Sequence, residues 1–163
     1  MADFKHSPLK RHHALQPFSR DHYQGLVQAQ HLIKSADGDA AARRKALAEF
    51  LDAWEREIEP HFRDEERLLT ELAGEADRQR LLEEHSRLRG LAAEAREQRR
   101  KVDPDAAWVR GLGESLSAHI RWEERELFVA IESAADQGQL AELDGLTQQI
   151  ESNRCRPRFQ QHD

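Results

Sequence analysis

Apolar residues recur along this chain in steps of three and four, the spacing that gathers them on one face of an α-helix. Phe18, His22, Leu26, Ala29 and Ile33 form one such stripe. Leu47, Leu51, Trp54, Ile58, His61, Glu65, Leu68 and Leu72 form a second, and Leu81, His85, Leu88, Ala92 and Ala95 a third. Val109, Leu112, Leu116, His119, Glu123 and Leu127 make the fourth. The punctuation between stripes agrees with them. Ser19 or Asp21 can cap a helix running to about Ser35, and Ala36-Asp37-Gly38-Asp39 reads as a turn. A helix from about Ala41 to Leu72 stops before Gly74, and the next spans about Ala76 to Lys101. Asp103-Pro104 opens a fourth helix that reaches about Ala134. The pattern predicts an all-α fold, an antiparallel up-down four-helix bundle over residues 18–135. Residues 1–17, with Pro8 and Pro17, are expected to form an irregular leader; residues 136–163 are expected to form a short helix, roughly Leu140 to Glu151, and a polar tail.

Composition strengthens this picture. Charged residues make up 34% and aromatics 6% of the chain, with a single Tyr, so the β-branched and aromatic runs of strands are missing. A mean hydropathy of -0.88 with no long apolar stretch predicts no membrane span. The net charge of -6 disfavours nucleic-acid binding, whose affinity comes largely from phosphate neutralisation. The basic clusters Arg43-Arg44-Lys45 and Arg99-Arg100-Lys101 lie among acidic residues and read as solvated helix faces. Lys5, Lys10 and Arg11 lead into no apolar segment, so no secretory signal is expected, and Cys155 has no partner for a disulfide. A cytoplasmic location is the expectation.

What changes the picture is the set of residues that interrupt the stripes. Each of the four helices carries a His on its buried face, and His61 and His119 are each followed one turn later by a Glu, Glu65 and Glu123. Residues four apart stack on one helix face, so each pair can aim at one point. Burying four imidazoles and two carboxylates without partners would cost several kcal/mol apiece, about what desolvation estimates give for polar and charged groups. A pair of metal ions relieves that cost, because neutral imidazole and carboxylate both ligate iron, and manganese or zinc as well. The heights also agree. Residue 63, midway between His61 and Glu65, lies eleven before Gly74, and His85 lies eleven after it. From Asp103, His85 is eighteen back and residue 121, midway between His119 and Glu123, is eighteen forward. At ~1.5 Å per residue these ligands share one layer. His22 fits less well: it is fifteen before Asp37, whereas residue 63 is twenty-six after it. Either the first turn is longer than drawn or the second helix overhangs the first.

Four segments resemble the hemerythrin-like (HHE cation-binding) family. They are Arg11-His12-His13-Ala14-Leu15-Gln16-Pro17-Phe18-Ser19-Arg20-Asp21-His22, Pro60-His61-Phe62-Arg63-Asp64-Glu65-Glu66, Glu84-His85 with Leu88, and His119-Ile120-Arg121-Trp122-Glu123-Glu124-Arg125-Glu126-Leu127-Phe128. The resemblance runs from about Leu9 to Ile131. It implies a hemerythrin-like bundle with two iron ions, one on His22 and His61, the other on His85 and His119. Glu65 and Glu123 would bridge both, with an oxo or hydroxo group between the metals. Two departures separate this chain from the oxygen-carrying hemerythrins. Their third helix has HxxxH, where the residues four either side of His85 are Leu81 and Arg89, and their fourth has HxxxxD, where the residue five after His119 is Glu124. Glu123 is preferred to Glu124 because it shares the stripe of His119. With one His fewer, Tyr23 and Glu57 are candidates to complete the coordination. Asp21, Glu66, Glu84 and Glu124 read as surface groups or as partners that hold the ligand imidazoles. Pro60 should kink the second helix beside His61.

A buried site walled by Leu26, Trp54, Ile58, Leu88 and Leu116 suits a small ligand. The expected role is a di-iron protein that binds or senses O₂, NO or peroxide, with Gly25 leaving room near His22. A peroxide-degrading redox enzyme and an iron-sensing or iron-storage protein are the alternatives.

Overall fold

The computed structural model describes residues 11–154, and among these there is no strand. A 3₁₀ turn at His13–Leu15 leads into α1 (Gln16–Ala36). The second long helix is α2 (Ala40–Ala53) and α3 (Glu59–Leu69), joined without a break by a π-helical segment at Trp54–Ile58. α4 (Glu75–Arg100) is uninterrupted. α5 (Ala106–Trp122) and α6 (Phe128–Ala134) are joined by a second π segment, Glu123–Leu127, and α7 (Gln137–Arg154) follows. The result is an all-α helical bundle, as the stripes predict. Among the described residues no helix is long and apolar enough to cross a membrane.

The stripes name most of the core. All five residues of the third stripe and all six of the fourth are buried. The second holds through Glu65, after which Leu69 is the fully buried residue and Leu68 and Leu72 are only half-buried. On α1 the inward face is turned slightly: Gly25 and Leu32 are buried where Leu26 and Ile33 were expected. Two apolar clusters result. One gathers Leu32, Phe50, Trp54, Leu88, Leu112 and Leu116; the other gathers Leu15, Phe18, Leu69, Trp122, Phe128 and Leu143. His22, His61, Glu65, His85, His119 and Glu123 are buried and belong to neither cluster.

Three local features bear on the expectation. Pro60 lies in an unbroken run of helix, at the start of α3 directly after the π segment. Its ring would crowd the carbonyl four residues back, and its missing N–H would leave that carbonyl unpaired. The π segment widens the helix here, so that Glu59 N–H reaches back five residues to Trp54 O. The turn before α2 is as short as drawn, so the height offset of His22 lies in the relative placement of the two helices and not in a longer connection. Arg43 is not on a solvated face. It is buried and donates to the carbonyls of Pro104 (2.8 Å) and Gly38 (2.7 Å) and to Asp103 (2.5 Å), tying the α1–α2 turn to the α4–α5 loop.

α1 and α5, which carry His22 and His119, pack so closely that a Cβ on Gly113 would lie 2.7 Å from the Ala29 carbonyl oxygen and 2.8 Å from Ile33 Cγ1. A backbone carbonyl cannot swing aside as a side chain can. Gly113→Ala is therefore expected to destabilise the protein by about 1–3 kcal/mol in urea unfolding, the usual cost of overpacking. At Gly111, where a Cβ would meet nothing within 4 Å, the same change should be neutral or stabilising. Equal effects at the two positions would contradict the close-approach account.

Candidate metal centre

The four imidazoles are presented from four different stretches of helix, His22 from α1, His61 from α3, His85 from α4 and His119 from α5. Each projects Nε2 inward and Nδ1 outward. Inward, His22 Nε2 lies 2.8 Å from Glu123 Oε2, His61 Nε2 2.7 Å from Glu65 Oε1, and His119 Nε2 2.5 Å from Glu123 Oε1. His85 Nε2 is 3.4 Å from Glu123 Oε1 and 3.8 Å from Glu65 Oε1. Glu65 and Glu123 are both 0% exposed, so neither carboxylate has water to fall back on.

Outward, every Nδ1 meets a carboxylate: His22 meets Glu124 (2.7 Å), His61 Asp21 (3.1 Å), His85 Glu66 (2.9 Å) and His119 Glu84 (3.0 Å). An ionised carboxylate only accepts, so Nδ1 donates in each pair and Nε2 is the atom left facing the layer, the one that would ligate a metal once it carries no proton. Each of these outer carboxylates is itself held by an arginine: Glu124 by Arg11 (2.9 Å), Asp21 by Arg154 (2.5 Å), Glu66 by Arg89 (2.7 Å) and Glu84 by Arg80 (2.6 Å). Arginine and histidine contacts hold all four carboxyls below their ordinary pKa despite partial burial, which pulls the other way. Aromatic rings fix the imidazole planes. Phe62 stacks on His85 at 3.9 Å between centroids, and Phe128 on His22 at 5.5 Å.

The outer charges thus balance pair by pair, and the inner layer keeps two carboxylates with nothing permanent to neutralise them. His22 Nε2, His61 Nε2, His119 Nε2, both oxygens of Glu65 and Oε2 of Glu123 are buried without a hydrogen-bond partner. Atoms that approach this closely and yet fail to form hydrogen bonds are placed as ligand atoms around cations would be. One nitrogen or oxygen from each of His22, His61, Glu65 and Glu123 lies within 4.8 Å of the others, and the same holds for His85, His119 and Glu123. The donor set and its geometry fit metal ions.

Other sequence candidates fall elsewhere. Tyr23 is 68% exposed and points away from the layer. Glu57 is exposed and only borders a cavity beside His22. Glu124 takes the outer face of His22, and Glu123 the interior. Leu81 is core and Arg89 binds Glu66 and Glu59, so α4 supplies no further imidazole. Neither stripe phase nor motif assigns a role to the four arginines or to the two stacking rings. Arg80 four before Glu84 was a readable signal; nothing in the sequence points to Arg11 or Arg154.

Without metal, protons must balance the inner charge. Burial, reinforced by the charge of Glu123, pushes the Glu65 carboxyl well above the carboxylate range. Burial would lower the His119 pKa, but Glu123 and Glu84 outweigh it and raise it to about 10. A raised folded-state pKa means that the His119 contribution to metal-free stability is complete below the ordinary imidazole value of 6.5 and is lost as pH rises towards about 10. Cations must displace these protons, so loading is expected to release at least one proton per chain at pH 7, and affinity should rise with pH. Calorimetric titration in buffers of differing ionisation enthalpy measures this; loading without proton release would contradict it.

The family comparison agrees with the geometry. The hemerythrin HHE cation binding domain matches residues 13–131, a span that holds all six inner residues. No curated protein and no solved structure matches the chain. A family match over most of the chain, meeting a buried layer of imidazoles and carboxylates that could hold metal, leads to one conclusion: this chain belongs to the hemerythrin HHE cation-binding family.

Proposed function

We propose that this protein holds two iron ions in the buried layer and uses them to bind or sense a small oxidant or diatomic, O₂, NO or peroxide. One cation would sit on His22 and His61 and the other on His85 and His119, with Glu65 and Glu123 shared between them and an oxo or hydroxo bridge completing the pair. Imidazole–carboxylate sites also accept manganese or zinc, and iron is preferred on the family resemblance. When bound, two redox-active ions with fewer protein ligands than positions supply a place where such a ligand can be taken up.

A small apolar space carries the reading. A cavity of about 20 Å³ lies against His22 and His61, walled by Gly25, Ile58, Phe62, Leu116 and Ile120. That is room for about one water-sized molecule. Its walls are almost wholly apolar, and Asp21 and Glu57 at its border are the charged exceptions. A diatomic or peroxide fits such a space, whereas an organic substrate does not. Gly25 helps to keep it open, because a Cβ there would come within 2.7 Å of Ile120 Cδ1.

Two outcomes test the proposal. Protein purified aerobically should contain two Fe per chain with an oxo-to-iron charge-transfer absorption, and His61→Ala should lose at least one of the two ions. Gly25→Val should keep both ions yet weaken NO or O₂ binding by ten-fold or more, read from the visible spectrum under gas titration. Full metal occupancy with unaltered gas affinity in Gly25→Val would remove the cavity from the account.

A further inference from the structure

The arginines that close the four imidazole–carboxylate chains do not all come from the same place. On the His85–His119 side they are Arg89 and Arg80, both on α4, the helix that carries His85 itself. On the His22–His61 side they are Arg11, ahead of the first helical turn, and Arg154, at the end of α7. Both lie outside residues 13–131 that match the family.

Their contacts are specific. The Arg154 guanidinium donates to Asp21 on α1 at 2.5 Å and to Asp64 on α3 at 3.1 Å, so it straddles the two helices that present His22 and His61. Arg11 donates to the Glu124 carboxylate (2.9 Å) and to its backbone carbonyl (2.6 Å). It also lies 5.3 Å from the centre of the Phe128 ring, which stacks on the His22 imidazole. The two terminal segments are bound to each other as well. His13 Nδ1 donates to Asp144 (2.6 Å), Arg20 on α1 pairs with Glu151 (3.2 Å), and Leu143 packs in one cluster with Ala14, Leu15 and Phe18.

We infer that the N-terminal turn and α7 form a clamp that sets the affinity of one metal position only, the one at His22 and His61, through Arg11 and Arg154 as positioning residues. This rests on the two-cation reading above. Docking of the clamp fixes Asp21 and Glu124, these orient the two imidazoles, and the position they form is complete only while the clamp is docked. The His85–His119 position is braced by two arginines of α4, through Glu66 and Glu84, and does not need it. Because coupling is reciprocal, a cation at the first position must in turn hold the clamp down.

Anaerobic Fe(II) titration of the full chain, with metal analysis and hydrogen exchange, tests this. Arg154→Gln should weaken one of two binding steps about ten-fold or more, the usual effect of losing a partner behind a ligand. The other step should stay within two-fold, and Arg154→Lys should restore much of the loss. Asp64→Asn, which touches no imidazole, should act in the same direction by loosening Arg154. Combined with His119→Ala, Arg154→Gln should weaken the remaining step; combined with His22→Ala it should change nothing. Fe(II) should also slow amide exchange in the last turn of α7 of the unsubstituted chain. Two bound Fe(II) with both steps unchanged in Arg154→Gln and Asp64→Asn would overturn the clamp alone. An unsubstituted chain that binds no cation would overturn the clamp and the metal reading together.

Discussion

Both oxygens of Glu65, one oxygen of Glu123 and three inward imidazole nitrogens at the centre of this bundle have lost water and gained no hydrogen bond in exchange. In a medium that screens charge poorly, such groups demand positive charge among them. Protons can supply it, and the raised pKa values of Glu65 and His119 are the mark of that arrangement. Metal ions can supply more of it and meet every lone pair at once. Proton and metal therefore compete for the same atoms, and the metal-free fold is the one that keeps protons in the layer.

The surrounding structure reads as a means of keeping that demand unmet by anything else. Each outer nitrogen is given a carboxylate, and each of those carboxylates an arginine, so the charges outside the layer cancel locally and do not leak inward as neutralisation. Apolar clusters that exclude the six residues limit the access of water to them. The π segments adjust the two long helices near the layer. One absorbs Pro60 next to His61, and the other starts at Glu123 itself, with Phe128 N–H reaching back to Glu123 O. In the second, Leu127 and Phe128 are both fully buried, and the Phe128 ring reaches the face of His22.

Much of this was legible because the relevant signals are local. Stripe phase fixes which residue of each helix faces inward, and a fixed rise per residue fixes how high it sits, so His61, Glu65, His85, His119 and Glu123 could be expected in one layer from spacing alone. The partners of the imidazoles were legible for a related reason, since Asp21, Glu66, Glu84 and Glu124 are sequence neighbours of inward-facing residues. Three kinds of feature were not. The π segments leave no mark in a three-four repeat that simply continues through them. The rotation of α1, which buries Gly25 and Leu32 instead of Leu26 and Ile33, is set by its tight contact with α5 at Gly113. Arg11 and Arg154 act across 113 and 133 positions of sequence, beyond any local pattern.

That last pair makes the layer asymmetric. One half is supported by the helix that bears its own ligand, the other by the two ends of the described chain. The cavity lies on the half held by the ends, so the place where a small ligand would enter and the place most dependent on distant contacts coincide. The most direct test of the central claim is an anomalous diffraction map at the iron edge from crystals of the aerobically purified protein. It should show two peaks per chain, one among His22, His61, Glu65 and Glu123 and one among His85, His119 and the same carboxylates. A map with no peak in the layer, and with His22, His61 and His119 hydrogen-bonded directly to Glu65 and Glu123, would contradict it.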